Sequence, residues 1–160
     1  LLVGWNRRLI YTVTAFTLGH SVTLAMVTFG LFDYPVSLVE FMIALSIYVL
    51  ALELARGSAG ALWRQPWWLA GGFGLLHGMG FAGALADTGL PQSNVPLALL
   101  FFNVGIELGQ LVFIALLVLL AAIGRRLIGE RTAAFRPLPV YLLGALSAMW
   151  CIERGLEVLA

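Results

Sequence analysis

Residues 103–110 read Asn103-Val104-Gly105-Ile106-Glu107-Leu108-Gly109-Gln110. They sit inside an apolar run from about Val95 to Gly124. A bilayer crossing needs ~20 apolar residues, and this run supplies them. A carboxylate midway along such a segment is costly unless it has partners. Asn103, Glu107 and Gln110 follow the spacing i, i+4, i+7 and share one helix face. Gly105 and Gly109 form a GxxxG pair on roughly the opposite face, where another helix backbone can approach closely. The stretch therefore reads as a membrane helix with a polar face and a packing face. Glu107 either glues helices together or forms part of a site for a cation or a proton. The second role is the default for an intramembrane acid.

The rest of the chain extends that reading. It has 160 residues, is 61% hydrophobic and has a mean hydropathy of +0.99. Such a composition belongs to an integral membrane protein with little mass outside the bilayer. The formal charge is +1, and all nine basic residues are arginines. No broad basic face exists, which argues against a nucleic-acid partner. Cys151 is the single cysteine, so an intramolecular disulfide is excluded and a small buried thiol is its simplest role. No signal peptide is evident, and the start at Leu1 leads us to expect part of a longer protein.

Apolar length and Gly/Pro punctuation predict an all-α polytopic bundle, a single transmembrane domain over residues 1–160. Five spans are expected, at about 8–31, 36–55, 66–86, 95–124 and 138–159. Arg7, Arg8, Arg56, Arg64, Arg125, Arg126, Arg131 and Arg136 all fall on one side of that arrangement. The positive-inside rule makes that side cytoplasmic. Trp63, Trp67 and Trp68 cluster at the start of the third helix, as an interfacial anchor would. A weak repeat aligns Phe16 to Ala25 with Phe73 to Ala82, matching Phe, Leu, His and Ala at equal spacing. It reads as two related helix hairpins in parallel orientation, a common plan among transporters.

The polar groups at depth are few. At 1.5 Å per residue, His20 lies about 18 Å from Arg8, His77 about 16 Å from Pro66 and Glu107 about 16 Å from Pro96. All three fall near the centre of a ~30 Å core. A lone histidine on an apolar helix is most often a hydrogen-bonded core residue. Two histidines level with a carboxylate point instead to a site. His20, His77 and Glu107 are the candidate metal ligands, with Asn103 and Gln110 as weak ligands or support. Thr17 and Ser21 have hydroxyls near His20 and are expected to orient its ring. Glu40 lies toward the outer side and Glu53 toward the inner side, as candidate approach and exit residues. Ala70, Gly74, Gly78 and Ala82 form a small-residue ridge beside His77, expected to pack against another helix. Arg154 lies between Glu153 and Glu157 and is placed to neutralise one of them.

Taken in order, several segments resemble the HupE/UreJ family, the hydrogenase and urease accessory proteins. They are Thr14-Ala15-Phe16-Thr17-Leu18-Gly19-His20-Ser21-Val22-Thr23-Leu24, Val39-Glu40 with Ile43 to Ile47, Phe73-Gly74-Leu75-Leu76-His77-Gly78-Met79-Gly80-Phe81-Ala82, Phe102 to Gln110, and Trp150 with Glu153-Arg154. The resemblance implies a permease for nickel or cobalt that supplies metalloenzymes, a multi-pass inner-membrane location and no catalytic activity. It also implies a further upstream helix with a His-x4-Asp-His motif, giving six helices and an outer N-terminus.

Imidazole with carboxylate suits borderline divalent ions and does not choose among nickel, cobalt and zinc. Without a thiolate cluster, the set is weak enough to release its ion. Two other functions fit the same residues. One is a membrane electron carrier with His20 and His77 as axial ligands of a haem. The other is a proton or neutral-solute channel. An intramembrane enzyme using His and Glu as acid and base is disfavoured, since no serine, cysteine or paired-aspartate constellation supports it and the HExxH pattern of zinc proteases is missing. The expected partners are the bilayer and the metal ion, with the small-residue faces also suiting a homo-oligomer.

Overall fold

The computed structural model describes residues 7–56, 66–88, 94–128 and 137–160, with the backbone alone at 84, 86–88 and 128. Five helices account for nearly all of them: α1 Arg7–Thr28, α2 Val36–Arg56, α3 Pro66–Thr88, α4 Val95–Ile128 and α5 Leu138–Leu159. No strand occurs among the described residues. The helix boundaries follow local chemistry. Pro66 occupies the first position of α3, where its missing N–H costs nothing. Pro137 caps α5.

α1 stops three residues before the expected Leu31. Gly30 adopts φ 66°, its N–H donates to Val27 O, and the Leu31 N–H donates to Met26 O. This pair of bonds closes the helix with a glycine in the left-handed region. α4 runs four residues past the expected Gly124, because Arg125 and Arg126 are good helix formers and Gly124 alone does not stop a helix. The expected tryptophan anchor is described in part: Trp68 is 73% exposed, Trp67 is half-buried, and Trp63 lies outside the described residues.

The bundle buries small polar side chains among apolar ones and is apolar outside. The buried residues of α1 are Val13, Thr17, His20, Thr23 and Leu24, a single stripe at helical spacing. Its exposed face carries Ile10, Leu18, Val22 and Met26. α4 exposes Leu100, Phe101, Leu108, Val112, Phe113 and Leu116. An apolar surface of this extent suits lipid and not water. α1, α2 and α4 are long and apolar enough to cross a membrane.

α1 packs most extensively on α3, and α2 on α5; smaller contacts join α2 to α3 and α1 to α4. The α1–α3 pair is parallel and nearly backbone to backbone. A Cβ at Gly74 would strike Phe16 O, and one at Gly78 would strike His20 O and Thr23 Oγ1. The same applies to Gly19, which faces Gly71 O. Thr23 Oγ1 then donates to Leu75 O across the seam at 2.6 Å. The ridge of α3 thus packs on another helix as expected, and that helix is α1.

α4 runs antiparallel to α1: Thr14 meets Glu107, while Leu24 clusters with Leu99 and with Ala82 of α3. Among the described residues the expected packing face of α4 is open, since a Cβ at Gly105 or Gly109 would meet nothing within 4 Å. α5 is antiparallel to α2. A Cβ at Gly155 would touch Phe41 and one at Gly144 would touch Ala51, while Arg154 bridges Glu40 at 3.1 Å and Glu157 at 2.8 Å. These directions bring Arg7, Arg8, Arg56, Arg125 and Arg126 to one end of the bundle. Arg154, paired near the start of α2, is the one described arginine toward the other end.

Candidate functional site

His20 is the most unusual side chain in the bundle. It is 2% exposed, and among the described residues neither Nδ1 nor Nε2 has a hydrogen-bond partner. Its place follows from the glycine seam, because Gly74 and Gly78 bring the α3 backbone against the α1 turn that carries it. Aromatic rings hold the imidazole. Phe16, one turn earlier, stacks on it at 6.1 Å, and Phe81 of α3 meets it edge-on at 5.6 Å. Leaving a buried polar atom without a partner costs about 1–3 kcal/mol, so two on one ring call for an explanation.

His77 also meets Phe16. The ring centroids are 5.5 Å apart in an edge contact. Its Nδ1–H donates to Phe73 O at 2.8 Å, one turn back on α3. That bond fixes the tautomer and leaves Nε2 with its lone pair. The two histidines therefore share one aromatic neighbour on the α1–α3 seam.

Glu107 is placed differently. It is half-buried on α4, and Thr14 Oγ1 of α1 donates to its Oε1 at 3.0 Å. Thr14 is six residues before His20, about 9 Å along the helix. Among the described residues no three His, Cys, Asp or Glu side chains lie close enough to hold a metal ion together. The candidate ligands thus stand as a histidine pair and a separate carboxylate. Asn103 donates Nδ2–H to Leu99 O at 2.8 Å, while its Oδ1 is buried without a partner. The Oε1 of Gln110 is in the same condition.

The hydroxyls near His20 do not orient it. Thr17 Oγ1 donates to Val13 O at 3.2 Å and Ser21 Oγ to Thr17 O at 2.6 Å. Serine and threonine inside a helix find the carbonyl one turn back, and that local bond outcompetes the imidazole. Glu40, expected on an outer approach, accepts a hydrogen bond from Arg154 and ties α2 to α5. Glu53 is half-buried on α2 near the arginine end, on the helix whose chief partner is α5. Cys151 is a free, half-buried thiol.

Sequence reasoning gave no role to Thr14, Phe16, Phe81 or Phe102. Phe16 was legible as the residue one turn before His20. Thr14 was not, since its partner lies 93 residues away. Phe81 and Phe102, with ring centroids 5.8 Å apart, carry the aromatic wall from His20 across to α4.

A family model described as HupE / UreJ protein matches residues 2–154. Comparison with curated proteins and with solved structures finds no match.

Proposed function

The chain belongs to the HupE/UreJ family, and from that premise we propose that it carries a divalent transition-metal ion across a bacterial-type inner membrane. Nickel is the cargo that the family suggests, with cobalt as its chemical neighbour. The observation that carries the reading is His20: a buried imidazole with two bare nitrogens, beside a second histidine whose free nitrogen is Nε2. Neutral imidazole is a good donor to borderline divalent ions. A lone pair given to a passing ion offsets the cost of leaving it unpaired.

In this reading His20 and His77 receive the ion at mid-depth, and the Phe16 ring fixes their separation. Few strong donors surround the pair, so the ion is held weakly enough to move on. Glu107 of α4, held against α1 by Thr14, supplies negative charge that lowers the cost of a cation inside the bilayer. All five helices cross. α3 and α5, of 23 and 22 residues, are about 33–35 Å long and match the core. α3 also lies parallel and in close contact with α1, itself long and apolar enough to span. The arginine end faces the cytoplasm by the positive-inside rule. Phe16 with His20 and Phe73 with His77 lie on these parallel helices, as a duplicated hairpin would place them.

The test is nickel uptake into proteoliposomes containing the purified full chain. His20→Ala and His77→Ala should each abolish saturable uptake while the protein remains inserted and monodisperse. Wild-type uptake by either variant refutes the histidine site. A Soret band in the purified protein would replace the reading with haem ligation.

A further inference from the structure

One face of α4 gathers oxygen acceptors without donors. Among the described residues Glu107 receives a single hydrogen bond, from Thr14 Oγ1 at 3.0 Å. One turn earlier Asn103 gives its Nδ2–H to Leu99 O, which fixes the amide orientation and turns Oδ1 into a buried, unpartnered acceptor. One turn later Gln110 Oε1 is buried and unpartnered as well. The spacing i−4, i, i+3 keeps the three on one helix face. In a bilayer no water is at hand to satisfy them, so the face lacks a positive partner.

We propose that this face binds a monovalent alkali cation of the sodium class, held by the Glu107 carboxylate, Asn103 Oδ1, Gln110 Oε1 and Thr14 Oγ1. Charge sets the valence. Between Leu97 and Gly124 the only charged residue of α4 is Glu107, and α1 carries no carboxylate or arginine between Leu9 and Thr28. A monovalent ion brings the site to zero, whereas a divalent ion leaves a buried positive charge. Donor chemistry sets the class. All four ligand atoms are oxygens, which suit hard cations, while the histidine pair offers nitrogen. A proton on Glu107 satisfies one of the two orphaned amide oxygens; an alkali ion satisfies both. The threonine hydroxyl keeps lone pairs for the ion. The site lies on the α1–α4 contact, the histidine pair on the α1–α3 seam, and the inference does not depend on what the histidines carry.

The experiment uses the purified full chain in detergent. Saturable 22Na+ binding is measured directly, and thermal unfolding is followed in sodium chloride against choline chloride at equal ionic strength. Sodium should raise the unfolding midpoint in a saturable way and choline should not. Glu107→Gln should remove both signals, and Asn103→Ala and Gln110→Ala should each weaken sodium binding several-fold. His77→Ala should keep the sodium signals while losing nickel binding, so the two readings fail separately. Absence of saturable 22Na+ binding to the wild-type chain overturns the proposal, with no variant needed. So does an unfolding midpoint that responds equally to choline, or one that responds to pH and not to sodium.

Discussion

His20 is gripped by rings and touches no hydrogen-bond partner. Its polarity therefore works against the apo fold. Replacing it with leucine removes two unsatisfied nitrogens at similar volume. His20→Leu should be neutral to stabilising, by up to about 1–3 kcal/mol in metal-free detergent, while nickel binding disappears. Unfolding by heat, paired with a nickel-binding isotherm, checks both halves. A clear loss of stability would mean that the imidazole has a structural partner. Neighbouring residues show where residue-level reading stops. Glu107 departs from the expected common level, since it meets α1 at Thr14, about 9 Å along the helix from His20. That His20 and His77 lie level could be read from distance to the helix ends. Whether they face one another could not, because it depends on which helices pair and how each is rotated. The hydroxyls at Thr17 and Ser21 were misread for a local reason: their own helix offered a nearer carbonyl.

At the scale of the element, the glycines of α3 divide sharply. Gly78 lies against His20 O and Thr23 Oγ1, whereas Gly72 and Gly83 meet nothing within 4 Å. Gly78→Leu should cost about 1–3 kcal/mol or prevent assembly, since the obstacle is backbone and cannot rotate away. Gly72→Leu should be close to neutral, and equal unfolding midpoints for the two variants would contradict the seam. The α2–α5 pair permits a covalent test. A Cβ on Gly144 would lie 3.7 Å from Ala51 Cβ, within the range that a disulfide spans. In a Cys151→Ser background, Ala51→Cys with Gly144→Cys should cross-link under mild oxidation and shift mobility on a denaturing gel. Failure of the bond to form would place these helices elsewhere. The ridge Ala70-Gly74-Gly78-Ala82 announced a close contact in the sequence, but its partner was unreadable. Small residues signal that some backbone comes near, and α1 fits because its own Gly19 faces Gly71 O across the seam.

For the molecule as a whole, five helices and their approximate limits were legible because apolar length and proline or glycine punctuation carry that information directly. Arginine asymmetry was equally plain, and the packing directions collect Arg7, Arg8, Arg56, Arg125 and Arg126 at one end. Single cysteines placed at residues 129–134, in a Cys151→Ser background, should resist impermeant maleimide in intact cells and react after lysis. Labelling from outside would invert the topology. The order α4–α1–α3–α2–α5 was not legible, since every segment is apolar and periodicity does not name neighbours. That order bears on how the chain is made. α1 has its main partner in α3, and the Thr23–Leu75 bond joins residues 52 apart. At ~5–20 residues per second, the ribosome takes about 3–10 s to deliver that stretch. During biogenesis α1 is therefore made seconds before α3 can cover His20 and its threonines. Insertion and assembly are separate events for this protein, and the interval between them is when a membrane chaperone or a quality-control protease would meet it.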